Sequence, residues 1–339
     1  MSASAAIYGC RGLRLAREEI DFFRDVRPWG FILFARNIEE PDQVRRLVDT
    51  FRETVGRGDA PVLIDQEGGR VQRLGPPHWR AYPPARAIAR IPGGQETRRE
   101  AVRLGARLIA DDLCTLGINV DCAPVLDVPQ PGSHDIIGDR AYGETPEEVG
   151  LFGRAMAEGL LAGGVLPVIK HIPGHGRARS DSHVELPVVE TPPETLCETD
   201  FAPFQMLSDM PMAMTAHVLY RALDPRRPAT TSRRVVQTVL RGELGFAGLI
   251  MSDDLSMQAL AGDLTERARR SHSAGCDVVL HCNGDMTEMK AVAAGTRELG
   301  GVAARRAEAA LARIPRRPEP FDRQASEARF EALLSGAGA

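Results

Sequence analysis

The sequence predicts an α/β fold of one class, a single-domain (β/α)8 TIM barrel, and three observations point to it. About eight short apolar runs alternate with segments of helical periodicity. The runs are spread evenly from Ala5 to His281 of the 339 residues, and polar residues follow their C-terminal ends again and again. Neither a Gly-x-Gly-x-x-Gly pattern nor a phosphate-binding loop follows any of them, which removes the main argument for an open, doubly wound nucleotide-binding sheet.

Taken in order, Ala5 to Tyr8 is a short strand and Leu15 to Phe23 a helix. Gly30 to Phe34 is the second strand. Pro41 then opens a helix carrying Val44, Leu47, Val48 and Phe51, stopped by Gly56 and Gly58. Val62-Leu63-Ile64 runs into Asp65, and the prolines around Pro76-Pro77 and Pro83-Pro84 mark an irregular loop. Glu96 to Leu116 has a 3.6-residue period ended by Gly117, and Ile118 to Cys122 is a strand. Thr145-Pro146-Glu147-Glu148 is a capping box with proline at the first helical position, and Gly163-Gly164 closes its helix.

Val165 to Ile169 is a buried strand handing over to Lys170 and a turn, after which Thr191-Pro192-Pro193-Glu194 repeats the capping logic. Met212 to Thr215 is a strand finishing at His217, Ser232 begins a helix, and Leu249 to Met251 is a strand ending at Ser252-Asp253-Asp254. A helix to Ala274 precedes the strand Val278 to His281. One domain spans residues 1–339, with a helical and polar tail from about residue 300.

The net charge of -4 offers no basic field, and the arginines lie mixed with glutamates, so nucleic acid is not an expected partner. Six cysteines are scattered without a paired motif, which reads as reduced core residues. There is no signal-peptide pattern at the N-terminus and no apolar run of membrane-spanning length. A cytoplasmic monomer is expected, with no cofactor, no metal and no membrane partner.

Asp65, Asp121, Lys170, His217, Asp253 and His281 all fall at strand ends, where a barrel of this kind carries its chemistry. Any one of them alone suits a structural ion pair or cap; six on one rim do not. Asp181-Ser182-His183 puts two ionisable groups on one side of an extended segment, where the carboxylate can orient the imidazole and raise its pKa for proton transfer. The alternative for that triplet is an ordinary surface loop. Asp253, held rigidly at a strand end, suits a nucleophile or a stabiliser of positive charge, whereas Asp254 suits capping of a following helix. Asp65, Arg73, Arg140, Lys170 and His171 mix one acceptor with several donors, as gripping a polyhydroxylated ligand requires. Zinc on His171, His175, Asp181 and His183 is the competing reading, disfavoured by the absence of helical i,i+4 spacing.

Five ordered blocks carry a resemblance: Ile64 to Arg73, Ala123 to Val128, Ile137 to Arg140, Lys170 to His183, and Ser252 to Met257. Together they resemble the glycoside hydrolase family 3 β-N-acetylhexosaminidases, of the NagZ type that acts in peptidoglycan recycling. Ile172 stands where that family commonly has phenylalanine, one apolar residue for another. The resemblance implies an exo-acting, retaining β-N-acetylglucosaminidase that removes terminal GlcNAc from muropeptides through a covalent glycosyl-enzyme intermediate. It implies Asp253 as nucleophile, His183 as general acid/base and Asp181 as its carboxylate partner. Asp65, Arg73, Arg140, Lys170 and His171 are the implied sugar-binding groups, and the small carbohydrate is the expected partner. The segment from Gly174 to Ser182 is expected to move, bringing His183 to the glycosidic oxygen. A phosphorylase using the same site and a non-catalytic sugar-binding barrel are the alternatives.

Overall fold

A computed structural model describes residues 3–336. Eight parallel strands form its closed barrel: β1 Ser4–Tyr8, β2 Pro28–Leu33, β3 Val62–Ile64, β4 Val120–Asp121, β5 Leu166–Ile172, β6 Met212–Thr215, β7 Leu249–Asp254 and β8 Val278–His281. Each pairs with its neighbours in sequence, and β8 returns to β1 with Ala6 opposite Val279. The long connecting helices include α1 Arg17–Val26, α2 Pro41–Val55, α3 Gln95–Cys114, α4 Pro146–Ala162, α5 Leu264–Ala274 and α6 Met286–Gly295.

Strand alternation decides what faces the axis. Ala5, Ile7, Leu63, Leu166, Val168, Met212, Met214, Leu249, Met251, Val278 and Leu280 fill the barrel interior. Tyr8, Phe31, Leu33, Val62 and Ile64 face outward into one mantle of helices, and Ile169, Ala213 and Ile250 into another. Extending the inward parity by one step beyond Leu63, Val168 and Met251 reaches Asp65, Lys170 and Asp253. Three charged groups therefore converge above an apolar core because of residue parity.

Several expectations shift. The strand expected over 118–122 pairs only at Val120–Asp121, and β5 continues through Lys170 and His171 to Ile172. Thr145 does cap α4, accepting from the Glu148 amide, but the Glu148 carboxylate accepts from the Glu144 amide instead of that of Thr145. Thr191 caps nothing: two short helices follow, Pro193–Glu198 with Pro192 as its N-cap and Ala202–Met206 with Phe201 as its N-cap. The segment after Ser232 is a π-helix, Val235–Glu243, begun by the Ser232 hydroxyl accepting from the Val235 amide. Asp254 does not cap a helix. Its carboxylate accepts from the Ser256 amide and hydroxyl in a tight turn, and Asp263 caps α5.

The tail forms helices α7 Gly301–Leu311 and α8 Arg323–Leu334. Phe330 of α8 is fully buried against α3 at Gly105, where even an added Cβ would lie 3.0 Å from the ring. No helix among the described residues is long and apolar enough to cross a membrane.

Candidate active site

The segment after β3 turns back as a small hairpin, Gln66–Gly68 against Val71–Gln72. Gly68 has φ +97, and a Cβ there would lie 2.5 Å from the Pro83 carbonyl, so the turn requires glycine. The hairpin delivers Asp65, Glu67 and Arg73 to the barrel mouth. Lys170 Nζ donates to Asp65 at 2.9 Å and lies 2.7 Å from Glu67. Arg73 donates to the other Asp65 oxygen at 3.0 Å. Arg140 grips Glu67 with two bonds, 2.9 Å from Nε and 2.8 Å from the terminal nitrogen.

The result is one chain of alternating charge, Arg73–Asp65–Lys170–Glu67–Arg140. Burial alone would raise the Asp65 and Glu67 carboxyls, but Lys170 with Arg73, and Arg140 with Lys170, hold both below their ordinary values. Burial would likewise discharge Lys170, yet Asp65 and Glu67 raise its pKa. Asp65, Glu67, Lys170 and Arg140 stay ionised. With two of its three ammonium hydrogens committed, Lys170 keeps one for a ligand, and Asp65 keeps lone pairs for hydroxyls.

Lys170, His171 and Ile172 follow one another in β5, with a cis peptide between Lys170 and His171. His171 Nδ1 lies 2.7 Å from Asp127 Oδ2. Asp127 is fully buried; burial would raise its pKa, but the His171 imidazole, then the His175 imidazole and amide, lower it. A carboxylate only accepts, so His171 Nδ1 carries hydrogen and Nε2 is turned toward the mouth.

Asp253 is half-buried, and its Oδ1 accepts from the Asp254 amide at 2.8 Å. Burial would neutralise it, but the His217 and His171 imidazoles, that amide and Lys170 hold its pKa below the ordinary carboxylate value. His217, fully buried, donates from Nε2 to the Asp254 carbonyl at 3.0 Å while Thr230 meets its Nδ1 at 2.7 Å. It therefore braces the backbone beside Asp253 instead of lining the mouth.

Asp181 and His183 sit on the loop after β5. Asp181 Oδ1 accepts from the His183 amide at 2.9 Å and from its Nδ1 at 2.8 Å, leaving Nε2 of a 64% exposed ring to the solvent side of the mouth. This loop is docked along its length. The Gln130 amide donates to the Gly176 carbonyl, that of His134 to Ala178, that of Ala259 to Ser182 and that of Gln258 to His183. Its end thus leans on the loop that follows Asp253.

The structure brings Asp65, Arg73, Arg140, Lys170 and His171 together and joins Asp181 to His183. Sequence reasoning missed Glu67 and Asp127, although both lie inside quoted blocks. Of the other rim residues, His281 turns outward, its ring 6.3 Å from that of Tyr8. Asp121 is fully buried and accepts from the Gln66 amide at 2.9 Å, and burial raises its pKa to about 8. Arg70 is structural, donating to the carbonyls of Asp135, Ile136 and Ile137. Among the described residues no three His, Cys, Asp or Glu side chains are placed to share a metal ion.

A carboxylate kept ionised at the mouth, an imidazole–carboxylate pair on a loop bonded to the segment that follows it, and a fork of charged donors suit acid/base-assisted displacement at a polyhydroxylated substrate. Comparison with known proteins bears on this. Residues 13–316 match the model of the glycosyl hydrolase family 3 N terminal domain. A β-hexosaminidase from Alkalilimnicola ehrlichii is 40% identical over 279 residues, covering 81% of this chain and 79% of that one. The crystal structure of NagZ from Neisseria gonorrhoeae in complex with N-trifluoroacetyl-D-glucosamine superposes with a TM-score of 0.84 at 31% identity, over 99% of this chain and 97% of that one. A glycoside hydrolase family 3 β-N-acetylglucosaminidase from Paenibacillus sp. str. FPU-7 gives a TM-score of 0.78 at 31% identity over 99% of this chain, which spans 62% of that longer one.

Proposed function

The chain belongs to glycosyl hydrolase family 3 and is a glycoside hydrolase of the β-hexosaminidase kind, and on that premise we propose that it is an exo-acting, retaining β-N-acetylglucosaminidase acting on muropeptides. Terminal GlcNAc occupies the mouth, its hydroxyls held by Asp65, Arg73, Arg140, Lys170 and His171. Asp253 attacks the anomeric carbon while protonated His183 gives its Nε2 proton to the departing glycosidic oxygen, forming a covalent glycosyl-enzyme. Neutral His183 then takes a proton from water as the water displaces Asp253, so two inversions give net retention.

The single observation that carries the reading is the Asp181–His183 pair at 2.8 Å, on a loop hydrogen-bonded to the segment following Asp253. Because Asp181 holds Nδ1–H, one nitrogen, Nε2, serves as acid when protonated and base when not. The exposure of His183 suits contact with a bulky aglycone and then with water. Release of the loop's bonds to Gln258 and Ala259 gives water its access after the first step. An N-acylated glucosamine bound by the gonococcal relative supports the sugar assignment.

Leaving-group dependence tests the roles. His183→Ala should slow phenyl and natural glycosides by roughly 100- to 10000-fold, the range of general acid catalysis. A 2,4-dinitrophenyl glycoside, which needs no protonation, should keep its first step within a few-fold. Equal losses on both would remove His183 from the acid role. Product analysis on an anhydro-muropeptide and on chitobiose, with and without phosphate, tests the substrate and the acceptor: GlcNAc released equally from both, or GlcNAc-1-phosphate, contradicts the proposal.

A further inference from the structure

We infer that His175 and Ser182 are positioning residues for the Asp181–His183 pair, forming a buried brace that stands on Asp127 and sets where the acid/base imidazole sits. The inference rests on the reading of His183 as acid/base.

Asp127 accepts three hydrogen bonds, from His171 Nδ1 at 2.7 Å, the His171 amide at 3.2 Å and the His175 amide at 2.6 Å. One buried carboxylate therefore fixes both the sugar-facing imidazole and the root of the acid/base loop. From that root the His175 ring, 4% exposed with its residue, reaches Ser182 Oγ at 3.1 Å. Ser182 is also 4% exposed, although Asp181 and His183 on either side have side chains 25% and 64% exposed. The triplet is not the extended segment its sequence suggests but the start of a turn, in which the Val184 and Glu185 amides donate to the Asp181 carbonyl; Ser182 points inward and anchors that turn between two outward functional residues.

The bond has a direction. His175 Nδ1 is buried and has no partner among the described residues. A buried N–H without an acceptor costs more than a bare lone pair, so the hydrogen belongs on Nε2, donating to Ser182 Oγ. Burial and the neighbouring His171 keep this imidazole neutral, with a pKa lowered to about 4. The Ser182 carbonyl meanwhile accepts from the Ala259 amide at 3.2 Å. Ser182 thus ties the loop to the end of β5, which carries the sugar ligands, and to the loop after β7, which carries Asp253. Nothing in the brace touches the Asp181–His183 bond itself, so loosening it changes the place of the pair and leaves the pair intact.

The test is a leaving-group series on Ser182→Ala, His175→Phe and the double variant, beside His183→Ala. A misplaced catalytic group costs on the order of 100-fold per ångström. Ser182→Ala and His175→Phe should therefore each lose roughly 10- to 100-fold on phenyl and natural glycosides and under threefold on the 2,4-dinitrophenyl glycoside. The double variant should lose no more than either single, because one bond is broken once. Backbone hydrogen exchange over 175–183 should rise in all three variants. Uniform losses on every leaving group, additive losses in the double variant, or wild-type kinetics would each overturn the brace while His183→Ala keeps its own leaving-group signature. If His183→Ala lacks that signature, the underlying reading has failed instead.

Discussion

Glu67→Gln is the perturbation that most sharply separates a working charge chain from a decorative one. The substitution keeps shape and one acceptor but removes the charge that receives two bonds from Arg140 and faces Lys170 at 2.7 Å. The side chains of Lys170, Glu67 and Arg140 are 2%, 6% and 11% exposed, so water screens little of the loss. Removing one partner from a buried ion pair costs about 3–5 kcal/mol, and the retained amide oxygen favours the lower end, about 3 kcal/mol. For a chain this long that is a fall in Tm of roughly 5 °C, somewhat less per kcal/mol than the 2–4 °C of smaller domains. Arg140 also loses its fork and Lys170 one of its two anchors, so both donate to the sugar from looser positions. Losing the aim of one charged donor, worth about 1.5–3 kcal/mol, raises KM roughly 10- to 100-fold. Thermal melting and initial rates on an aryl N-acetyl-β-glucosaminide measure both. A Tm within 1 °C of wild type together with a KM within twofold would refute the reasoning.

Asp121 carries a pH dependence. Its folded pKa, raised by burial to about 8, lies above its unfolded value. The folded state therefore holds an extra proton between about pH 4 and 8, and stability falls as pH rises through that window, by up to about 1.4 kcal/mol per unit. Asp121→Asn keeps an acceptor for the Gln66 amide and should be more stable than wild type at pH 8.5, with the gain much smaller at pH 5. Urea unfolding at the two pH values checks this, and an equal effect at both would contradict it. At Gly176 an added Cβ would lie 2.0 Å from the Val128 carbonyl. Gly176→Ala should lift the acid/base loop and cut turnover of phenyl glycosides at least tenfold while the 2,4-dinitrophenyl glycoside is largely spared; wild-type rates on both would show that the loop tolerates the shift.

The parts of this protein legible in its sequence are those set by local periodicity. Parity along β3, β5 and β7 carries Asp65, Lys170 and Asp253 into the barrel mouth, and the same parity turns His281 away toward Tyr8. Partnerships across long separations were not legible. Glu67 meets Arg140 73 residues away and Asp127 meets His171 44 residues away, and no spacing rule announces either pair. The π-helix after Ser232 has the apolar positions of an α-helix, so periodicity does not separate the two. Helix α6 went unread although Asp285 and Glu288 stand three apart at its start, where the Asp285 carboxylate accepts from the Glu288 amide. Its weak apolar stripe hid a start signal that was present.

The central claim is that Asp253 becomes covalently bonded to the sugar. The most direct measurement is peptide-level mass spectrometry on enzyme quenched during turnover of a 2,4-dinitrophenyl N-acetyl-β-glucosaminide, using the His183→Ala variant so that the second step is slow. The expected result is one N-acetylglucosaminyl adduct on the peptide containing Asp253, absent from Asp253→Ala. An adduct on another residue, or turnover in Asp253→Ala at the same rate, would contradict it.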